Sequence, residues 1–239
     1  MGLSFNTCGI KSPDKSRGSK PALNLSAGYA NDAAVGRVIE GASGSCRRGS
    51  TIFKEYCRNV KEIGSLVPDS KTCVNSLLKH VPFDSAKIIV EFGSASGAVT
   101  REIIRRKQPG TLFISFEKNP SLYAALIEKF KVGNVFLMNE DAFDCAKILD
   151  KVMGLKGKNV DCIVSTLPCS SLDFDVLMKK SVLPVLKDKG HFVQYMHTLS
   201  ILKGFNLRKY LVKYFHNLVS DFVLLNLPPA LVYTCDTAN

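Results

Sequence analysis

The chain has 239 residues, 46% of them hydrophobic, and a formal net charge of +11. That length accommodates one sizeable α/β domain with extra chain at an end, and no apolar run reaches the roughly 18–20 residues of a membrane-spanning helix. The basic excess favours anionic partners, either nucleic acid or an anionic membrane surface, without choosing between them.

Residues 1–50 are dense in Gly and Ser, poor in bulky apolar residues and rich in Lys and Arg. Such a segment buries little surface, so a flexible basic tail is expected. Over 51–63, Ile52, Phe53, Tyr56, Val60 and Ile63 recur at helical spacing, with Lys54, Arg58 and Lys61 between them. This basic amphipathic helix either packs on the core or lies on an anionic membrane surface. A Gly-Ser-Leu-Val-Pro-Asp-Ser loop follows, and Asp69 or Ser70 caps a second helix through about His80. The N-terminal helical region thus spans 51–82, and the main domain 83–239.

From there strands and helices alternate. Strands are predicted near 86–93, 111–117, 135–140, 160–165, 190–196, 219–226 and 230–235, and helices near 97–107, 120–131, 142–153, 172–187 and 204–216. Alternation of this kind gives a mostly parallel sheet covered by helices on both faces. The last two strands are separated by no helix, so they form an antiparallel hairpin at the end of a seven-stranded, Rossmann-like sheet. The eight cysteines form no C-x-x-C pair and accompany no histidine cluster. Reduced thiols in a cytoplasmic protein are expected, with no metal site.

The richest stretch is 88–100. A β-branched run ends in Glu91-Phe92, the small-residue loop Gly93-Ser94-Ala95-Ser96-Gly97 follows, and helical spacing resumes at Ala98. A strand, a tight turn and a helix start is the layout that holds an adenosine-containing cofactor, because small residues let the backbone approach it closely. Ala95 stands where a three-glycine fingerprint has its middle glycine. Glu91 is placed either to hold the loop or to reach a charged ligand.

Further chemistry falls at later strand ends, where open α/β sheets bind ligands. Glu117, in Phe116-Glu117-Lys118-Asn119-Pro120, lies about 20 residues past Gly97, the place of an acid that accepts ribose hydroxyls. Asp141, before Ala142, can accept the adenine amine or cap the next helix. Ser165-Thr166-Leu167-Pro168-Cys169 ends the fourth strand, and a rigid Leu167-Pro168 corner can present backbone carbonyls to a substrate amine.

The layout is similar to that of the class I S-adenosylmethionine (SAM)-dependent methyltransferases. More narrowly, Glu91-Phe92-Gly93 with Gly97, Phe116 to Pro120, Asp141-Ala142, Val164 to Pro168, Val193-Gln194-Tyr195 and above all Asn226-Leu227-Pro228-Pro229-Ala230-Leu231-Val232-Tyr233 resemble the bacterial phospholipid N-methyltransferases, relatives of the ribosomal RNA adenine dimethylases. The resemblance implies methyl transfer from SAM to the amine of phosphatidylethanolamine, towards phosphatidylcholine, by an enzyme peripherally bound to the membrane through the helix carrying Lys54, Arg58 and Lys61. Carried across, Glu91 and Gly93 to Gly97 line the methionine side of the cofactor. Glu117 with Lys118 takes the ribose, Asp141 with Ala142 the adenine, and Ser165 borders the site. Two positions depart from the family: Ala95 replaces a glycine, and His197 stands near a usual tyrosine.

A sulfonium methyl group is already activated, so such an enzyme need only align a neutral amine with it. Tyr195, His197 and the Leu167-Pro168 carbonyls are the candidates for receiving that amine and its proton. Tyr195 also reads as core, and His197 as a surface residue at a strand end. An RNA adenine N6-methyltransferase would share the cofactor loops and the basic surface. It would, however, place Asn and an aromatic residue where Thr166 and Cys169 stand. A methyltransferase fold kept only for binding is the third reading, and Ala95 is its support.

Overall fold

The computed structural model describes residues 70–202, 204–226 and 228–237. The basic tail and the helix predicted over 51–63 lie outside the described residues. Helix α1 (Lys71–Leu78) starts at Ser70, whose hydroxyl accepts from the Cys73 amide. Then come β1 (Ile88–Phe92), α2 (Ala98–Arg106), β2 (Leu112–Phe116), α3 (Pro120–Lys129) and β3 (Val135–Met138). A 3₁₀ turn over Ala142–Asp144 leads into α4 (Cys145–Lys151), followed by β4 (Val160–Ser165). Helix α5 (Phe174–Leu177) runs into a π turn, and β5 (Leu186–His197), α6 (Thr198–Leu202), α7 (Leu207–Leu211), β6 (Asn217–Val223) and β7 (Ala230–Asp236) complete the order.

The seven strands lie in the order β3-β2-β1-β4-β5-β7-β6. Strands β3, β2, β1, β4 and β5 pair in parallel, and β7 is antiparallel to both its neighbours. This is the expected mostly parallel sheet with a terminal antiparallel hairpin. Every residue of β1 and β2 is buried, as central strands covered on both faces require. Val90 and Phe92 enter one core with Ile114, Phe116 and Phe192. Ile89 enters the other, with Leu77, Ile103, Val193 and Tyr195.

The helical expectations late in the chain are corrected. The helix predicted over 172–187 stops at the π turn ending at Val182. Pro184 cannot continue a helical ladder, and Leu186 already pairs with Val160 as the start of β5. The helix predicted over 204–216 shortens to the five residues Leu207–Leu211, and a separate five-residue helix, Thr198–Leu202, precedes the predicted range. The Asn206 side chain accepts from the Lys209 amide, so α7 begins only there.

The sheet order reverses around β1, with β2 on one side and β4 on the other. The crevice beyond the carboxyl ends of these strands is where such sheets bind ligands.

Candidate active site

The loop after β1 is shaped by three left-handed residues: Gly93 at φ 83°, Ala95 at φ 44° and Gly97 at φ 78°. The Gly97 amide donates to the Ser94 carbonyl, closing a tight turn that delivers the chain into α2. Leu126 and Phe130 of the α3 region pack so closely over Gly97 that a Cβ there would lie 2.7 Å and 2.8 Å from their side chains. Ala95 occupies a conformation that costs an L-residue free energy and that glycine adopts freely. The missing middle glycine of the motif is therefore a place of backbone strain.

Two carboxylates hold this loop. Glu117, 8% exposed at the end of β2, accepts from the Ala95 amide at 2.8 Å and from the Asn119 amide at 2.9 Å. One oxygen thus grips the loop after β1 and the other the start of α3. Each oxygen keeps a lone pair for a further donor. Glu91 lies deeper and is fully buried. Its Oε2 accepts from Ser115 at 2.6 Å and Thr100 at 2.8 Å, and Ser115 is hydrogen-bonded to Ser94 in the loop. Glu91 Oε1 has no hydrogen-bond partner among the described residues. Burial pushes its pKa up to about 7, against the hydrogen bonds from Ser115 and Thr100, and the neighbouring Glu117 charge adds to the rise. Of the two sequence readings of Glu91, these partners support the one in which it braces the loop from below.

Asp141 caps the 3₁₀ turn, accepting from the Phe143 amide at 3.0 Å, and pairs with the exposed Lys118 at 2.7 Å. Burial works against its charge, but the bonds from Lys118 and Phe143 outweigh it and hold the pKa below the usual value. Ala142 is buried beside it. Ser96 offers its carbonyl to Lys129.

The corner after β4 is tied to this loop. Thr166 Oγ1 donates to the Gly93 carbonyl at 2.6 Å. Ser165 is fully buried and accepts from the Leu167 amide. The Leu167 carbonyl, one of the two predicted to face a substrate amine, accepts from Gln194 Nε2 at 3.0 Å. Pro168 is exposed beside it. Cys169 is buried, and burial pushes its thiol up to about 12, so it is no nucleophile at neutral pH.

At the end of β5, Tyr195 Oη lies 3.2 Å from His197 Nε2, and the two residues are 2% and 3% exposed. The expectation of a surface histidine is corrected: α1, β6 and β7 wall in this end of β5. A third residue, missed as a site residue in the sequence, joins them. Asn226 donates through Nδ2 to the Pro228 carbonyl at 2.8 Å and to Tyr195 Oη at 3.2 Å, while its Oδ1 accepts from Ser70. The Pro228 carbonyl can only accept, which fixes the orientation of the amide. Tyr195 Oη therefore accepts a hydrogen bond from Asn226 and lies within hydrogen-bond distance of His197 Nε2.

This strand order, with the loop after β1 at the reversal and the antiparallel β7, is the class I SAM-dependent methyltransferase fold. Solved structures of similar arrangement include a precorrin-6y C5,15-methyltransferase from Geobacter metallireducens, at TM-score 0.52 and 17% identity, covering 72% of this chain and 90% of that one. A methyltransferase from Geobacter sulfurreducens matches at TM-score 0.51 and 11% identity over 85% of this chain and 97% of that one. SAM is the cofactor expected of this fold. No family model matches the chain. Over 184 residues it is 28% identical to an ornithine lipid N-methyltransferase of Singulisphaera acidiphila, covering 76% of this chain and 92% of that protein. Among the described residues no group of His, Cys, Asp and Glu is arranged to hold a metal ion, and no helix is long and apolar enough to cross a membrane.

Proposed function

We propose that the chain is a SAM-dependent N-methyltransferase whose acceptor is the amine of a membrane lipid, phosphatidylethanolamine or an ornithine lipid. The observation that carries the proposal is the buried Tyr195–His197–Asn226 cluster at the end of β5, the strand whose Gln194 holds the Leu167 carbonyl, on a chain similar to an ornithine lipid N-methyltransferase. The corner itself, Thr166-Leu167-Pro168-Cys169, has neither the Asn nor the aromatic ring that would grip a flipped adenine.

The residues after β1 and β2 fit the cofactor. The left-handed loop exposes backbone at Gly93, Ala95 and Ser96, and the spare lone pairs of Glu117 suit ribose hydroxyls. Asp141 and Ala142 border the adenine end, Lys118 flanks the ribose, and Ser94 and Gly97 set the curve of the loop. When bound, SAM supplies a methyl group already activated by its positive sulfur.

The protein's own part is to place and neutralise the acceptor. The lone pairs left by Ser171 on the Pro168 carbonyl and by Gln194 on the Leu167 carbonyl orient the amine. Tyr195 and His197 are the groups that receive its proton. The measurement that tests the proposal is transfer of radiolabel from SAM to three acceptors: vesicles containing phosphatidylethanolamine, vesicles containing an ornithine lipid, and total RNA. Label in either lipid is expected, and label in RNA alone would overturn the reading.

A further inference from the structure

Large apolar side chains stand in water around one corner of the domain: Leu199 at 44% exposure, Ile201 at 46%, Phe222 at 60%, Leu224 at 67% and Leu225 at 75%. They belong to two chain segments that the sheet brings together. His197, Ala230 and Val223 form the last rung across β5, β7 and β6. The next residues outward are Thr198, Pro229 and Leu224. Thr198 is fastened to the Pro229 carbonyl through both its amide, at 3.1 Å, and its hydroxyl, at 2.7 Å. Neighbouring strands are about 4.8 Å apart, so Leu224 emerges about two strand spacings from the start of α6, which carries Leu199 and Ile201. Phe222 pairs with Leu231 one rung below.

We propose that these five residues form a rim that sinks into a lipid bilayer and seats the carboxyl end of β5 over the headgroups. The inference rests on the lipid-amine reading of the site. Its first support is continuity. The rim is joined to the candidate acceptor cluster by chain, with Leu199 two residues past His197 and Leu225 directly before Asn226. Its second is charge. Arg208 and Lys209, exposed on the neighbouring α7, make no ion pair among the described residues, so they are available to anionic headgroups. Apolar tips flanked by cations are the composition that binds the membrane interface. Two adjacent, outward leucines at a strand-to-strand turn are costly in water unless something apolar receives them.

The test uses the full chain and vesicles of phosphatidylcholine mixed with phosphatidylglycerol, at high salt, where the basic residues are screened and apolar insertion remains. The paired variant Leu224→Ser with Leu225→Ser is expected to bind vesicles about tenfold more weakly or worse, with SAM affinity by calorimetry unchanged. Methyl transfer to a short-chain, monomeric aminolipid should also be unchanged, because that acceptor needs no membrane seat. Equal vesicle binding by variant and wild type would overturn the proposal. So would a wild-type dimer that the serine pair converts to monomer, since the rim would then cover a second copy. Protection of the rim by the segment over 51–63, read as hydrogen exchange that rises when residues 1–69 are cleaved, with no vesicle binding, would overturn it as well. Vesicle binding that depends on the leucines, without transfer to any lipid, would keep the rim and remove the lipid-amine reading.

Discussion

Gly97→Ala tests the architecture of the loop after β1 with a built-in control. The substitution adds one methyl group at φ 78°, where a Cβ would lie 2.7 Å from Leu126 Cδ2 and 2.8 Å from Phe130 Cε2. Both neighbours are anchored, Leu126 in a buried position of α3 and Phe130 at its C-terminal cap, so relief requires moving the helix or the loop. The left-handed conformation costs an alanine about 1 kcal/mol, and overpacking a tight site adds about 1–3 kcal/mol. Gly154 has a similar φ of 67° but nothing within 4 Å of its would-be Cβ. Gly154→Ala therefore carries the conformational cost alone, and the difference between the two variants isolates the packing. By urea denaturation, Gly97→Ala should lose about 2–4 kcal/mol and Gly154→Ala about 1 kcal/mol. SAM affinity should fall only in the former. Equal losses in the two variants would refute the claim that α3 clamps the loop at Gly97.

Three other perturbations read the same site. Ala95→Gly removes left-handed strain at φ 44°; it should leave stability unchanged or raise it by up to about 1 kcal/mol, and tighten SAM binding in calorimetry. Weaker binding would count against Ala95 as a departure tolerated under strain. Glu91 has a folded pKa raised to about 7 from 4.5, so the fold prefers its neutral form. Its stabilising contribution is complete below pH 4.5 and is lost as pH rises through 7, about 3 kcal/mol in all. Glu91→Gln should flatten the stability profile across that window, and an unchanged slope in parallel denaturation series would reject the assignment. Asn226→Ala breaks the bonds to Ser70 and Tyr195; it should cost about 1–3 kcal/mol and shift the pH–rate profile of methyl transfer, whereas a lower melting temperature with an unmoved profile would reduce Asn226 to a structural role.

The central sheet was legible because its strands are continuous apolar runs. Ile88–Phe92, Leu112–Phe116 and Val160–Ser165 fall within a residue or two of their predicted ranges. The later helices were not, for two different reasons. Leu207, Leu211 and Phe215 repeat every four residues and are all buried, so helical spacing continues past the point where α7 ends. Over 172–187 the apolar spacing runs into Pro184, and the competing partner of Leu186 is Val160, a pairing no local pattern announces. The same division holds at the site. Gly93 to Gly97 and Glu117 could be read from a strand followed by small residues and from their separation. The Asn226 contacts could not, since Tyr195 is 31 residues away and Ser70 is 156 residues away. The sequence signals were that Asn226 opens the segment carrying the strongest resemblance and that Asn-Leu-Pro-Pro marks a turn, neither of which names its partner.

The loop after β1 and the end of β5 proposed to take the acceptor are not separate constructions. Thr166 donates to the Gly93 carbonyl, and a Cβ on Gly93 would meet Leu167 Cδ2 at 3.2 Å, so the two loops are in contact as well as hydrogen-bonded. Gln194 then spans from the Leu167 carbonyl to the Tyr195 carbonyl, at 3.0 Å and 2.7 Å. A single line of short polar contacts thus runs from the loop after β1, across the corner after β4, to the Tyr195–His197 end of β5. Line-up between a methyl donor and an amine tolerates little displacement, and rigid cross-strand ties are the means by which a sheet can hold two loops in register. Gln194 is fully buried and its Oε1 has no partner among the described residues. An unmet buried acceptor costs stability, and it is kept here at the one side chain that fixes the carbonyl corner relative to Tyr195. The sheet edge that closes this end is also the edge that carries the exposed leucines, so seating on lipid and alignment of the acceptor would be set by the same three strands, β5, β7 and β6.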